Sequence, residues 1–202
     1  MKKNILLLLM TSLIFLSADA QEWCDEDNCD EPQFYAKILS GVNFLQNTTL
    51  NDNKTTYKPG YLIGASLGYN WRYNLSLEAE YAYRRNALSK IHFFGGDSSH
   101  RGHFQTSSFM ANLLWNVPYC PFQNIQPFIG AGIGYDFQKM HSSNSTIVFN
   151  QKWNHFSWQL MAGLTYPIFC NTDISLEYKF HQGGNHFYSH TLGLGLAYKF
   201  GL

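Results

Sequence analysis

The sequence predicts an all-β fold: an eight-stranded, antiparallel, up-and-down transmembrane β-barrel, exported before it folds. Three observations carry this expectation. Segments of two-residue alternation recur along the chain, and in each the bulky apolar residues share one face. Aromatic residues make up 17% of the chain against 14% charged residues, and they gather at the ends of those segments. After the first twenty residues no apolar run approaches the roughly 20 residues that a spanning helix needs, so a membrane crossing must use strands.

The N-terminus explains the export. Lys2 and Lys3 precede an apolar stretch from Ile5 to Leu16, and small residues follow at Ala18 and Ala20. This is the pattern of a secretory signal peptide cleaved before Gln21, and its apolar core is too short to span a bilayer. The predicted organisation is a signal peptide over 1–20, an N-terminal periplasmic segment over 21–33 and a barrel over 34–202. Cys24 lies beyond the cleavage point, so no lipid anchor is expected there. Removing Lys2, Lys3 and Asp19 from 14 charges of each sign leaves 12 basic against 13 acidic residues. That balance offers no field to steer nucleic acid, which is excluded as a partner.

Eight segments alternate in chain order. The first and weakest sets Phe34, Ala36, Ile38, Val42 and Phe44 against Tyr35, Lys37, Leu39, Gly41 and Asn43. In the second, Tyr61, Ile63, Ala65, Leu67, Tyr69 and Trp71 share a face. In the third, Leu75, Leu77, Ala79, Tyr81 and Tyr83 oppose Ser76, Glu78, Glu80 and Arg84. The fourth aligns Phe109, Ala111, Leu113 and Trp115, and the fifth aligns Ile129, Ala131, Ile133 and Tyr135 against glycines and Asp136. The sixth runs from Phe156 to Tyr166 and the seventh from Ile174 to Phe180, with Glu177 and Lys179 on the second face. The eighth sets Leu192, Leu194, Leu196, Tyr198 and Phe200 against Thr191, Gly193, Gly195, Ala197 and Lys199. A soluble sandwich also alternates, but it turns its bulky face inward. Here the opposite face is small, glycine-rich and charged, as expected when the bulky face meets lipid.

Each segment is about 9 to 12 residues, the length of a tilted strand crossing the hydrocarbon. Connections at 72–74, 116–125 and 167–172 are short or proline-rich, whereas 46–59, 86–103, 138–153 and 181–188 are polar and mostly longer. Short periplasmic turns and longer outer loops are the expected asymmetry. With eight strands both termini then lie in the periplasm.

The second face carries Lys37, Glu78, Glu80, Arg84, Asp136, Glu177, Lys179 and Lys199. Inside an eight-stranded barrel these charges have only side chains for company, so a paired network is expected in preference to an ion path. Four cysteines in an exported chain suggest disulfides, with three pairings open. Cys120 and Cys170 fall in turns at the same rim, which makes a bridge between them feasible and leaves Cys24 and Cys29 to pair locally. A metal site at Cys24 and Cys29 would lack a nearby histidine. The histidines, at 92, 100, 103, 141, 155, 181, 186 and 190, all fall in outer loops or at outer strand ends. A surface metal site at His100, His103, His186 and His190 is one reading. The preferred one is that exposed polar loops collect such residues, so no metal or cofactor is assigned.

The segments QPFIGAGIGY (Gln126 to Tyr135), WQLMAGLTY (Trp158 to Tyr166), ISLEYKF (Ile174 to Phe180) and the final LGLGLAYKF resemble the small outer-membrane β-barrel family, which includes opacity-type surface proteins and OmpA-like barrels. The likeness covers residues 34–200. It implies a bacterial outer-membrane location and contact with outer-membrane lipid and lipopolysaccharide. It also implies handling by the barrel assembly machinery during biogenesis, and a host or surface protein as ligand. Family members commonly end on an aromatic residue; here Gly201 and Leu202 follow Phe200. No peptidoglycan-binding domain is expected after the last strand.

Barrels of this size that deacylate lipid A carry a His-x-Ser motif at the end of the seventh strand. The similar stretch here is His181, Gln182, Gly183, and Gly183 has no hydroxyl to act as nucleophile. Ser189 and His190 are neighbours, which puts them on opposite faces of a regular strand. The expected function is therefore a non-enzymatic surface protein with a structural or adhesive role through its outer loops. The alternatives are a narrow passive, porin-like channel and a lipid A acyl hydrolase.

Overall fold

The computed structural model describes residues 33–46, 48–50, 53–71, 74–93, 96–98, 101–118, 125–143, 148–169, 171–184 and 187–200. The strands there are β1 (Gln33–Leu45), β2 (Thr48–Leu50), β3 (Asn53–Tyr57), β4 (Gly60–Trp71), β5 (Leu75–Phe93), β6 (Gly96–Ser98), β7 (Arg101–Asn116), β8 (Gln126–Ser143), β9 (Val148–Phe169), β10 (Thr172–Gly183) and β11 (Phe187–Phe200). Eight of them form the wall in the order β1, β4, β5, β7, β8, β9, β10, β11, each antiparallel to the next. The wall closes where β11 pairs with β1, from Phe34 opposite Phe200 to Leu45 opposite Ser189. Closure leaves no unpaired edge, the condition for strands to cross lipid.

Alternation sets the faces. In β10 the burial pattern switches at every step from Asp173 to Lys179, because successive side chains point to opposite sides of the sheet. The outward set forms an aliphatic belt; Leu67 is 66% and Leu194 59% exposed. A belt of that extent in water would be an aggregation surface, and lipid is the solvent that suits it.

Aromatic rings bound the belt at both ends. Tyr81, Phe109, Tyr135 and Phe156 stand directly opposite one another across four strands. At the other rim Phe34 lies between Tyr69 and Phe200, with ring centroids 4.7 and 6.4 Å away.

The strands run further than the alternation predicts. β5 has 19 residues, β8 has 18 and β9 has 22, so most of the segments 86–103 and 138–153, expected as loops, are ladder. β3 pairs with the outer part of β5 as well as with β2, and β6 adds to the end of β5. The apolar signal stops where the lipid stops. Backbone pairing does not, because N–H and C=O groups seek partners at any depth. The result is a β-sheet crown above the outer girdle. At the inner rim the turn from β4 to β5 is tight, with Asn74 at φ 58°, a left-handed position that asparagine tolerates.

Candidate functional site

The inward face holds a network built around two lysines. Lys37 Nζ lies 2.8 Å from Glu78 and 3.0 Å from Glu177. Lys179 Nζ lies 2.8 Å from Glu80 and 3.6 Å from Glu177. Glu177 thus links the two cations, and Ser175 donates a further hydrogen bond to it. Amides complete the layer: Asn112 Nδ2 donates to Glu78 and Glu80, and Gln159 Nε2 donates to Glu80 and to Asn112 Oδ1. Tyr35 donates its hydroxyl proton to Glu78. All these side chains are buried, so each charge depends on its partners for the solvation that water would supply.

Three of the eight charges expected in the lumen sit apart from this layer. Arg84 and Asp136 lie nearer the outer end, where Arg84 donates to Ser108 and Asp136 meets His181 Nε2 at 2.8 Å. Lys199 lies at the inner rim and pairs with Asp173 at 2.7 Å. Asp173, Tyr35 and His181 join these contacts in addition to the eight charges expected from the sequence. Asp173 falls just before the first alternating residue of its strand, and Tyr35, although on the inward parity, carries no formal charge. The lumen also holds two apolar clusters that the small-and-polar description of that face misses: Leu39 with Leu62 and Ala82, and Leu114 with Phe128 and Met161.

The packing divides the lumen. A cavity of about 90 Å³ opens at the inner end and one of about 10 Å³ at the outer end, with no lining residue in common. Lys179, Glu80, Asn112 and Gln159 fill the space between. The outer cavity collects buried polar atoms that lack a protein partner: Arg84 Nε and Nη2, Asp136 Oδ1, Gln138 Oε1, His181 Nδ1 and Ser189 Oγ. Its volume is that of about one water molecule, with more than enough polar groups to hold it.

Ser189 stands opposite His181 in register, and His181 contacts Asp136. The serine and the histidine are not hydrogen-bonded to each other, and both are buried. A Cβ at Gly183 would meet the Asp136 carboxylate, so a side chain at the hydrolase nucleophile position would require Asp136 to shift. His190 faces outward and shares a 2.7 Å hydrogen bond with Tyr178. Of the four histidines in the proposed metal set, His100 and His186 lie outside the described residues. Among the described residues no three His, Cys, Asp or Glu side chains are grouped to hold a metal. Cys24, Cys29, Cys120 and Cys170 also lie outside the described residues.

Lipid-facing belt, paired girdles and packed polar interior together define an integral β-barrel of the outer-membrane type. The family model described as outer membrane protein beta-barrel domain matches residues 6–200, and the chain belongs to that family. No curated protein matches the chain. Among solved structures, Neisserial surface protein A is similar at a TM-score of 0.62 and 16% identity, over 83% of this chain and 97% of that one. OprG of Pseudomonas aeruginosa is similar at 0.58 and 10%, over 85% and 96%. Ail, the attachment invasion locus protein of Yersinia pestis, solved with the heparin analogue sucrose octasulfate, is similar at 0.52 and 16%, over 84% and 99%. At these identities the likeness is one of fold. The protein is a bacterial outer-membrane β-barrel.

Proposed function

We propose that the protein is a surface-exposed interaction protein: the barrel anchors it, and the crown and outer connections present contacts to a host or neighbouring surface protein. The observation that carries this reading is the division of the lumen by the Lys179, Glu80, Asn112 and Gln159 layer, beneath strands that project past the lipid belt. A filled interior favours a role outside the barrel over passage through it. The fold-level likeness to Ail, whose name records attachment, is consistent with such a role. Acyl hydrolysis is disfavoured because the His181 and Ser189 pair faces a space about the size of one water.

Purified protein in a planar bilayer is expected to show no unitary conductance of reproducible size. A stable open level would replace this reading with the channel. Cells expressing the protein are expected to bind extracellular matrix or other cells, and to lose that binding when the β2–β3 hairpin is shortened. Equal binding by the shortened form would remove the crown from the proposal.

A further inference from the structure

The outer part of β9 has a partner on one side only. Its residues from Val148 to Phe156 pair with β8, from Ser143 opposite Val148 to Tyr135 opposite Phe156. On the other side β10 reaches no further than Gly183, opposite Ser157. Among the described residues nothing continues that ladder, so the stretch from Val148 to Phe156 leaves one edge open. Every second residue of such an edge presents a free N–H and C=O, a template to which another strand can add.

The chain leaves this edge for a structural reason. Gly184 takes a left-handed conformation at φ 61°, which glycine adopts without steric cost. It also lies against His155, where a Cβ would come within 2.7 Å of the imidazole ring. The backbone turns back there into β11, and Gly183 already stands opposite Phe187. The lane that a longer β10 would occupy is left to another chain. Phe156 belongs to the outer aromatic row, and the strand runs about 26 Å beyond it to Val148 at roughly 3.3 Å per residue. The open edge therefore stands above the lipid, within reach of a partner.

Charge selects the guest. The outer segments 46–59, 86–103 and 138–153 hold Lys54, Lys58, Lys90, Arg101, Lys139 and Lys152 against Asp52 and Asp97. Lys152 is exposed on the edge strand itself, with Lys139 opposite it on β8. A second copy of this edge would bring its own Lys152 into the lane, like charge against like, the device by which edge strands avoid pairing with themselves.

We infer that the edge from Val148 to Phe156 is a docking lane for an extended, acidic segment of a partner protein, which adds as a strand antiparallel to β9. The inference rests on the surface-interaction reading above and gives it a site and a partner chemistry. Alternate side chains of the guest lie on the side of Lys152 and Asn154, which are exposed, and on that of Trp153 and His155, which are half-buried. Carboxylates suit the first set and β-branched residues the second.

The test titrates the full-length protein, folded in phosphatidylcholine nanodiscs, with a peptide of alternating threonine and glutamate as long as the lane. Binding is expected to slow hydrogen exchange of the amides from Val148 to Phe156 and to leave the β2–β3 hairpin unchanged. Peptides N-methylated at every glutamate or at every threonine each block one edge of the guest. One of the two is expected to bind roughly 30-fold more weakly and the other within about threefold of the parent, the effect of losing a run of ladder hydrogen bonds on one side only. Lys152→Glu is expected to weaken the acidic peptide about tenfold and to favour a threonine–lysine peptide in its place. Should that variant not fold, Lys152→Gln carries the comparison with about a threefold loss. The inference is overturned by absence of peptide binding, by equal binding of both methylated peptides, or by indifference to the charge at position 152. Protection of the same amides without peptide, rising with protein concentration, would give the lane to a second copy and overturn the acidic partner. Cell or matrix binding by a protein that ignores the peptide would overturn the lane alone and leave the surface role standing.

Discussion

Replacing Lys179 with methionine is expected to destabilise the barrel by about 3–5 kcal/mol, the cost of leaving a buried charge without its counter-ion. Glu80 would keep the amide donors of Asn112 and Gln159 but lose the ammonium at 2.8 Å. Glu177 would be less affected, because Lys37 remains 3.0 Å away. Urea unfolding from phosphatidylcholine vesicles measures the difference. The Glu80→Gln, Lys179→Met double variant should recover most of the loss, since glutamine still accepts from the amides and no lone charge remains. A single-variant change within about 0.5 kcal/mol, the range typical of surface positions, would mean that water reaches Glu80, and the lumen would not be sealed.

On the other side of the wall, Leu194→Arg is expected to cost about 2–4 kcal/mol, the penalty for a cation at the mid-depth of a bilayer on a barrel strand. The side chain is 59% exposed, so in a water-soluble protein the same change would be nearly neutral. The contrast makes the variant a direct report on what solvates this face. Equal stability of Leu194→Arg and the wild type in vesicles would place that part of β11 outside the hydrocarbon.

The parity of the wall could be read from the chain because lipid and lumen make opposite demands at every step: Leu192, Leu194 and Leu196 share one requirement and Gly193 and Gly195 the other. The same contrast vanishes above the girdle, which is why the outer halves of β5, β8 and β9 were invisible as strands. There both faces mix apolar and polar residues, and only the hydrogen-bond ladder marks the element. The lumen partners were hidden for a different reason. That Lys37 meets both Glu78 and Glu177 depends on the register of β1 against β4 and β11, and no local pattern encodes an offset between strands that distant in sequence. Leu114 and Phe128 were masked by apolar neighbours, Leu113 and Trp115 on one strand and Ile129 on the other, whose outward placement was the stronger signal.

The seam between β1 and β11 has a consequence for how the barrel comes to exist. Its twelve residue pairs join the two ends of the wall across nearly the whole chain, so this is the pairing of greatest sequence separation and the one whose loop-closure entropy is largest. Until it forms, both terminal strands expose unpaired backbone that lipid cannot satisfy. Insertion of the other six strands is therefore not a stable resting point, and folding and membrane entry are coupled into one slow event.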